Sequence, residues 1–188
     1  MATQTQTLLT YEQYADLPEQ EGVSRELDEG VVIEMGLPSH AHGAIQANAT
    51  GLLTTYRDQT GAEIVITQNA GYQLGPATDR GPDISVVRRL LFAAMEPVKG
   101  GSRRGAPDLA IEIVSENDTD SAIHRKVKQY LKAGTAAVWL LHQEPPHLIV
   151  HRRSGEIQAY GLGQSFQEPE LLPGLVIAVD KLFAGVPL

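Results

Sequence analysis

The run Pro107-Asp108-Leu109-Ala110-Ile111-Glu112-Ile113-Val114 sets an acid inside an otherwise apolar stretch. Side chains alternate along a strand, so Asp108, Ala110 and Glu112 share one face and Leu109, Ile111 and Ile113 the other. A carboxylate in such a run is costly to bury unless a cation or hydrogen bonds compensate it. Two readings stand: a structural glutamate paired with an arginine or a backbone amide, or an acid kept for chemistry. Asp83 also follows a proline and opens the strand-like segment Ile84 to Val87. If the two strands are neighbours, Asp83 and Glu112 meet. Two carboxylates with water and a backbone carbonyl make an oxygen site for Mg²⁺ or Mn²⁺. The plainer reading of Asp83 is an ordinary Pro-Asp turn. Lys126 borders the apolar stripe of the helix expected next, whereas Lys128 lies about 200° further round and faces water. Solvation is the plainer reading for any lone helical lysine.

Other constellations offer less. His40 and His42, with His124, His142, His147 or His151, could supply zinc ligands, but no His-Glu-x-x-His pattern is present. Gly163-Gln164-Ser165 lacks the last glycine of a nucleophile elbow, and no phosphate loop or dinucleotide fingerprint occurs.

The elements that must position these residues follow from periodicity and punctuation. Residues 1–9 read as a frayed tail. Thr10 and Gln13 form a capping box for a short helix, Tyr11 to Leu17, which stops near Pro18. Val23 to Leu27 and Val31 to Met35, around Asp28-Glu29-Gly30, predict a hairpin. Ile45, Ala49, Leu52 and Leu53 make one stripe of a helix from about His40 to Asp58, with Ser39 as its cap. Glu63 to Leu74 predicts a strand, Ile84 to Val87 a second and Leu109 to Val114 a third, the last central because it is almost continuously apolar. Val98 to Gly105, rich in Gly, Arg and Lys, predicts a mobile loop. Asp120 to Ala133 is helical and ends at Gly134. Ala137 to Leu141 and Leu148 to His151 are further strands, and Glu156 to Tyr160 and Leu175 to Val179 could extend the sheet. The expectation is one α/β (or α+β) domain over residues 1–188. Its core is helix, three strands, helix, strand in a mixed sheet, with an N-terminal hairpin and C-terminal β additions.

Composition bounds the function. The chain has 188 residues, 42% hydrophobic and 20% charged, ordinary for a folded protein. It has no cysteine, which removes disulfides, thiolate zinc sites, iron–sulfur clusters and cysteine nucleophiles. A net charge of −8 argues against coating nucleic acid by bulk attraction, though not against meeting phosphate through a few local cations. Met1 to Leu9 lacks a basic region followed by an apolar run, and Leu171 to Val179 falls far short of the ~20 residues that span a bilayer. A cytoplasmic protein without a membrane segment is expected.

Taken in order, Asp83, the run from Pro107 to Ser115, Lys126-x-x-x-Tyr130-x-x-x-Gly134 and Val138-Trp139-Leu140 resemble a large bacterial family of restriction endonuclease-like proteins within the PD-(D/E)XK nuclease superfamily. The resemblance runs from Leu9 to about Phe183, taking in Glu26 to Gly30, His42 and Leu172-Pro173-Gly174-Leu175. It implies a restriction endonuclease-like core and metal-dependent phosphodiester hydrolysis of nucleic acid, with DNA the expected substrate. Asp83 matches the family's metal-binding aspartate and Glu112 the acid of the (D/E)XK element. The lysine two positions on is absent, since Val114 stands there, and Lys126 occupies the place to which the family moves that charge. Glu26 and His42 sit where the family carries an acid and a histidine lining the site. Asp108 is a supporting residue or a strand-start cap, and Ser115 organises the turn after the strand. Arg25 stands where the family often has an aromatic residue, which affects local packing. The implied metal is Mg²⁺ or Mn²⁺, held by Asp83 and Glu112.

Cutting both strands of a duplex suggests a homodimer, for which the sparsely charged stretch Leu171 to Leu182 is a candidate surface. Arg88, Arg89, Lys99, Arg103 and Arg104, with Arg152 and Arg153, would form a basic rim if DNA binds; scattered solvated charges are the alternative. A nuclease fold that persists as a binding or assembly module without cutting is the competing reading of the whole chain.

Overall fold

Local chemistry sets the first elements as expected. The computed structural model describes residues 8–116 and 118–186, so residues 1–7 of the expected tail lie outside the described part, while Leu9 donates from its backbone to the Gly30 carbonyl at 2.8 Å. Helix α1 (Tyr11–Ala15) starts in a complete capping box: Thr10 accepts from the Gln13 backbone while the Gln13 side chain accepts from the Thr10 backbone. Strands β1 (Ser24–Asp28) and β2 (Val31–Met35) pair antiparallel around Glu29 and Gly30, whose φ values of 50° and 91° suit the tight twist of a two-residue hairpin. Helix α2 (His40–Thr60) is capped by Ser39 and buries Ile45, Ala49, Leu53 and Tyr56 on one stripe.

The segment expected as one strand, Glu63 to Leu74, is two. Strand β3 (Ile64–Gln68) and strand β4 (Tyr72–Gly75) belong to different sheets. Asn69 takes a left-handed φ of 51° between them, and its backbone N–H reaches the carbonyls of Pro82 at 3.1 Å and Asp83 at 3.3 Å. Gly71 is equally constrained, because a Cβ there would sit 2.1 Å from Ser102 Oγ. Polarity patterns along a strand carry no sign of such a break, so periodicity alone runs through it.

The chain continues through β5 (Thr78–Arg80), β6 (Ile84–Arg88), a short α3 (Arg89–Ala94), β7 (Arg103–Arg104), β8 (Leu109–Val114), α4 (Asp120–Ala133), β9 (Ala137–Gln143), β10 (Pro146–Arg152), β11 (Ile157–Gly161), β12 (Ser165–Gln167), β13 (Val176–Ala178) and α5 (Val179–Leu182). Among the described residues these strands form three sheets: β2-β1-β5-β4-β7, β11-β10-β9-β8-β6-β3, and β12-β13. The expected core order is visible in the second sheet, where α2 precedes β3, β6 and β8, and α4 carries the chain across to β9. Strand β8 runs antiparallel to β6 and parallel to β9, so the sheet is mixed and the fold is α+β.

Two expectations are corrected. Leu175 to Val179 does not extend the main sheet; among the described residues β13 pairs only with β12, burying Ile177 in the core while Val176 stays exposed. Nor is Val98 to Gly105 a free loop. Strand β7 pairs with β4, while the Arg103 guanidinium lies 4.0 Å over the Phe92 ring and donates to the Phe92 and Met95 carbonyls.

All six residues of β8 are buried, and its two faces meet different partners. Leu109, Ile111 and Ile113 join Trp139, Leu141, the α2 stripe and Phe166, Leu172, Leu175, Ile177, Val179 and Leu182 in the larger core. The apolar residues of the Leu171 to Leu182 stretch are therefore mostly internal, with Val176 left exposed. Trp139 and Phe166 pack edge to face at 4.7 Å, worth about 0.5–1.5 kcal/mol beyond their burial. On the other face, Ala110 and Val114 pack with Val138, Leu140, Val127 and Tyr130 under α4. That helix also touches the first sheet through Gln129, which donates to Asp28 at 2.8 Å, so it is wedged between two sheets. Glu112 shares that face with Ala110 and Val114 and so faces α4. No helix among the described residues is long and apolar enough to cross a membrane.

Candidate active site

The ladder between β6 and β8 pairs Ile84 with Ile111, and one step beyond its end places Asp83 across from Glu112. Asp83 Oδ2 accepts from the Ile113 backbone N–H at 2.7 Å, a bond that closes the ladder with a side chain. Its Oδ1 lies 3.0 Å from His42 Nε2. One helical turn after His42, Gln46 donates to the Asp83 carbonyl at 2.7 Å, so the start of α2 grips both ends of this residue. Burial disfavours a charged His42, yet the hydrogen bond and charge of Asp83, helped by Glu112 and Asp118, hold it above its ordinary 6.5.

Glu112 is 8% exposed. Its Oε2 accepts from Lys126 Nζ at 2.9 Å and its Oε1 from the Tyr130 hydroxyl at 2.9 Å. Lys126 and Tyr130 are one turn apart on α4, which aims both at one carboxylate. Burial pushes Glu112 up to about 7; the Lys126 ammonium pulls it down while Asp83 and Glu26 push it up. Burial opposes the charge on Lys126, but Glu112 and Glu26 outweigh it and hold the ammonium above its ordinary value. Burial, with Glu112 and Glu26, likewise raises Tyr130, which stays a hydroxyl donor.

Glu26 enters from the first sheet. Its Oε1 lies 3.2 Å from Lys126 Nζ and accepts from the Gly81 backbone at 3.0 Å, while its Oε2 meets Arg80 Nη1 at 2.8 Å. Arg80 also binds Asp28 at 2.7 Å and Gln129 at 2.8 Å, and Arg125 closes on Asp28 at 2.9 Å. Asp83, Glu112, Lys126 and Glu26 are thus brought together, with His42 behind Asp83.

The other candidates lie elsewhere. Asp108 caps the far end of β8, accepting from the Arg88 backbone at 2.7 Å and from its guanidinium at 2.7 and 3.0 Å. Ser115 binds Asp118 through both its backbone and its hydroxyl at 2.8 Å, which orders the turn before α4. Arg25 is spent on Glu34, Gln20 and the Pro18 carbonyl. His142 stacks on His147, rings 4.4 Å apart. Six of the seven residues expected in the basic rim have partners of their own. Arg88 is held by Asp108, Lys99 by Asp16, Arg103 by Phe92, Arg104 by Glu96, Arg152 by Glu168 and Arg153 by the Gly134 carbonyl.

Gln46 and Arg80 escaped the sequence reading. The signal for Gln46 was its spacing of four from His42. Arg80 sits in β5, a three-residue strand too short to show periodicity.

A divalent cation fits the chemistry of this donor set. Mg²⁺ usually takes one or two carboxylates and completes its shell with water and substrate oxygens. Asp83 and Glu112 supply two hard carboxylates side by side, and each of their oxygens has lone-pair capacity beyond the single bond described. Among the described residues no group of three or more His, Asp or Glu side chains is arranged around a metal position, so the protein's share would be these two acids.

The family described as "Putative restriction endonuclease" (Uma2) matches residues 11–180. Among solved structures, the fold is similar to that of a putative nuclease belonging to DUF820 from Anabaena variabilis ATCC 29413, with a TM-score of 0.80 at 22% identity, covering 95% of this chain and 99% of that one. A DrdV–DNA complex also matches, at a TM-score of 0.38 and 13% identity over 78% of this chain and 14% of that chain. Among curated proteins nothing matches.

Proposed function

The chain belongs to the restriction endonuclease-like Uma2 family, and from that premise we propose that it hydrolyses nucleic-acid phosphodiesters, as a DNA endonuclease using Mg²⁺ or Mn²⁺. The observation that carries this reading is the meeting of Asp83 and Glu112 at the end of one ladder, with Lys126 Nζ 2.9 Å from Glu112. A divalent cation held by those two acids would supply a Lewis acid for the phosphoryl oxygen and a more acidic water. Lys126 brings a positive charge to where negative charge grows as the nucleophile adds to phosphorus. Val114 cannot do so from the (D/E)XK strand, and α4 compensates by presenting its lysine to the same carboxylate. His42, Gln46 and the Ile113 amide fix Asp83, and Tyr130 fixes Glu112, so little reorganisation is left for the reaction itself. The reading places one domain over residues 1–188 in the cytoplasm, with two copies needed to cut both strands of a duplex.

One observation favours the competing reading of an inert binding or assembly module: Glu112 already has Lys126 and Tyr130 as partners, one per oxygen. Cleavage decides between them. Supercoiled plasmid, single-stranded DNA and RNA are incubated with the protein and Mg²⁺ or Mn²⁺, beside Glu112→Gln, Lys126→Ala and Lys128→Ala. The proposal expects metal-dependent cutting of DNA that is lost in Glu112→Gln, falls mainly in turnover in Lys126→Ala and persists in Lys128→Ala. Cutting by Glu112→Gln at the parent rate, or calorimetry showing no Mn²⁺ binding, overturns it.

A further inference from the structure

Lys126 reaches from a helix between two sheets and has an acid on each side. Glu112 lies 2.9 Å away on the second sheet and Glu26 3.2 Å away on the first. The two acids are held differently. Glu26 is 2% exposed and is pinned by the Gly81 amide and by Arg80, itself 4% exposed and locked by Asp28 and Gln129. Glu112 is held by a hydroxyl and by the lysine itself. A four-carbon stem lets the ammonium shift by an ångström or so while Glu26 stays in place.

Resting on the metal-dependent reading above, we infer that Glu26 is the counter-ion that receives Lys126 when a divalent cation takes Glu112, and that Arg80 is the residue that keeps Glu26 positioned for it. A cation entering at Glu112 competes with the ammonium already there. Were Glu112 its sole acid, the displaced lysine would be left buried without a partner, a penalty charged against metal binding. Glu26 removes that penalty because the second ion pair is already half made. The lysine is then retained beside the metal instead of being expelled, which is where a charge acting on the reacting phosphate has to be. Glu26 acts through Lys126 and is a positioning residue, not a metal ligand.

Calorimetric titration of Mn²⁺ into the whole chain, without substrate, tests this independently of cleavage. Glu26→Gln should weaken Mn²⁺ binding by about tenfold or more. Lys126→Met should strengthen it, since the competitor is gone. Most of the Glu26→Gln effect should vanish in the Lys126→Met background. If Glu26→Gln weakens binding equally in both backgrounds, Glu26 acts on the metal directly and the inference fails while the metal site stands. If the parent protein binds no Mn²⁺, the reading and the inference fail together. Should Glu26→Gln not fold, ¹⁵N spectra of the lysine ammonium groups in the parent protein give a second readout. On adding Mg²⁺ the Lys126 signal should shift yet stay protected from exchange; an ammonium as labile as that of Lys128 would overturn the inference.

Discussion

Two buried glutamates flank the same six-stranded sheet, and only one sits in a candidate site. Glu168, 0% exposed, faces the larger core, where Arg152 binds its Oε1 at 2.5 Å and the Trp139 indole approaches its Oε2 at 3.4 Å. Arg152 also approaches Glu156 at 3.4 Å, an acid whose side chain is exposed. Glu112, on the opposite face, shares Lys126 with Glu26 and stands across from Asp83. Burial and an ion pair therefore do not distinguish a site from a structural tie. What differs is the company the cation keeps: both acids around Lys126 are buried and Asp83 stands beside Glu112, whereas the second acid on Arg152, Glu156, is exposed.

The comparison breaks most visibly in activity. Glu112→Gln should lower metal-dependent cleavage by ~10³-fold or more while leaving circular dichroism and melting temperature at or above the parent's. A large loss of stability instead would make Glu112 a tie like Glu168. The converse holds for the other face. Arg152→Met should cost about 3–5 kcal/mol in urea unfolding because it strands Glu168 in the core, and adding Glu168→Gln should recover part of that. Cleavage per folded molecule should not change. A cost below about 1 kcal/mol would mean that Glu168 does not rely on Arg152 for its charge.

Another buried acid sharpens the contrast because, among the described residues, it has no ion-pair partner. Asp79, 4% exposed, receives the Ser102 hydroxyl on Oδ2 at 3.1 Å, and its Oδ1 is buried with no partner among the described residues. Burial pushes its carboxyl up to about 6 from 3.8, with Glu26 adding to the rise and Ser102 and Arg80 opposing it. A folded value above the unfolded one favours the fold while the acid is protonated. That contribution is full below pH 3.8 and is lost as pH rises through about 6, roughly 3 kcal/mol in all. Stability measured from pH 4 to 7 should therefore fall in the parent relative to Asp79→Asn. Parallel pH curves would show that Asp79 titrates normally. The smallest effects belong to α4: Tyr130→Phe should cost about 1 kcal/mol for one lost hydrogen bond, and Lys128→Ala should stay within ~0.5 kcal/mol.

The parts of the site that lie within one element were legible before any coordinates. Strand alternation put Glu112 on the face opposite Leu109 and Ile111, and helical spacing put Lys126 beside Ile123 and Tyr130. Strand β8 also reads as central because its run is almost unbroken. What crosses between elements was not legible. Nothing in the spacing of residues 26, 80 and 126 says that a second sheet brings Arg80 and Glu26 up to α4, because that depends on the bend at Asn69 and Gly71 that sends β3 and β4 into different sheets. The partners of the rim cations were not legible for the same reason. Counting arginines gives their charge but not whether Asp108, Phe92 or Glu168 already holds them.

The wedge of α4 between two sheets also orders events in time. A chain made from its N-terminus produces Glu26, Asp83 and Glu112 before Lys126, and all four precede β9, the parallel neighbour of β8. Parallel pairing across a helical crossover closes a long loop and is intrinsically slow to form. Asp83 and Glu112 meet through the ladder between β6 and β8, whereas Lys126 joins them only with α4. Without a docked α4, the ladder holds the Asp83–Glu112 pair but lacks the lysine that meets it. On the proposed function, cleavage therefore waits for the helix at residues 120–133 and not for the acids that precede it.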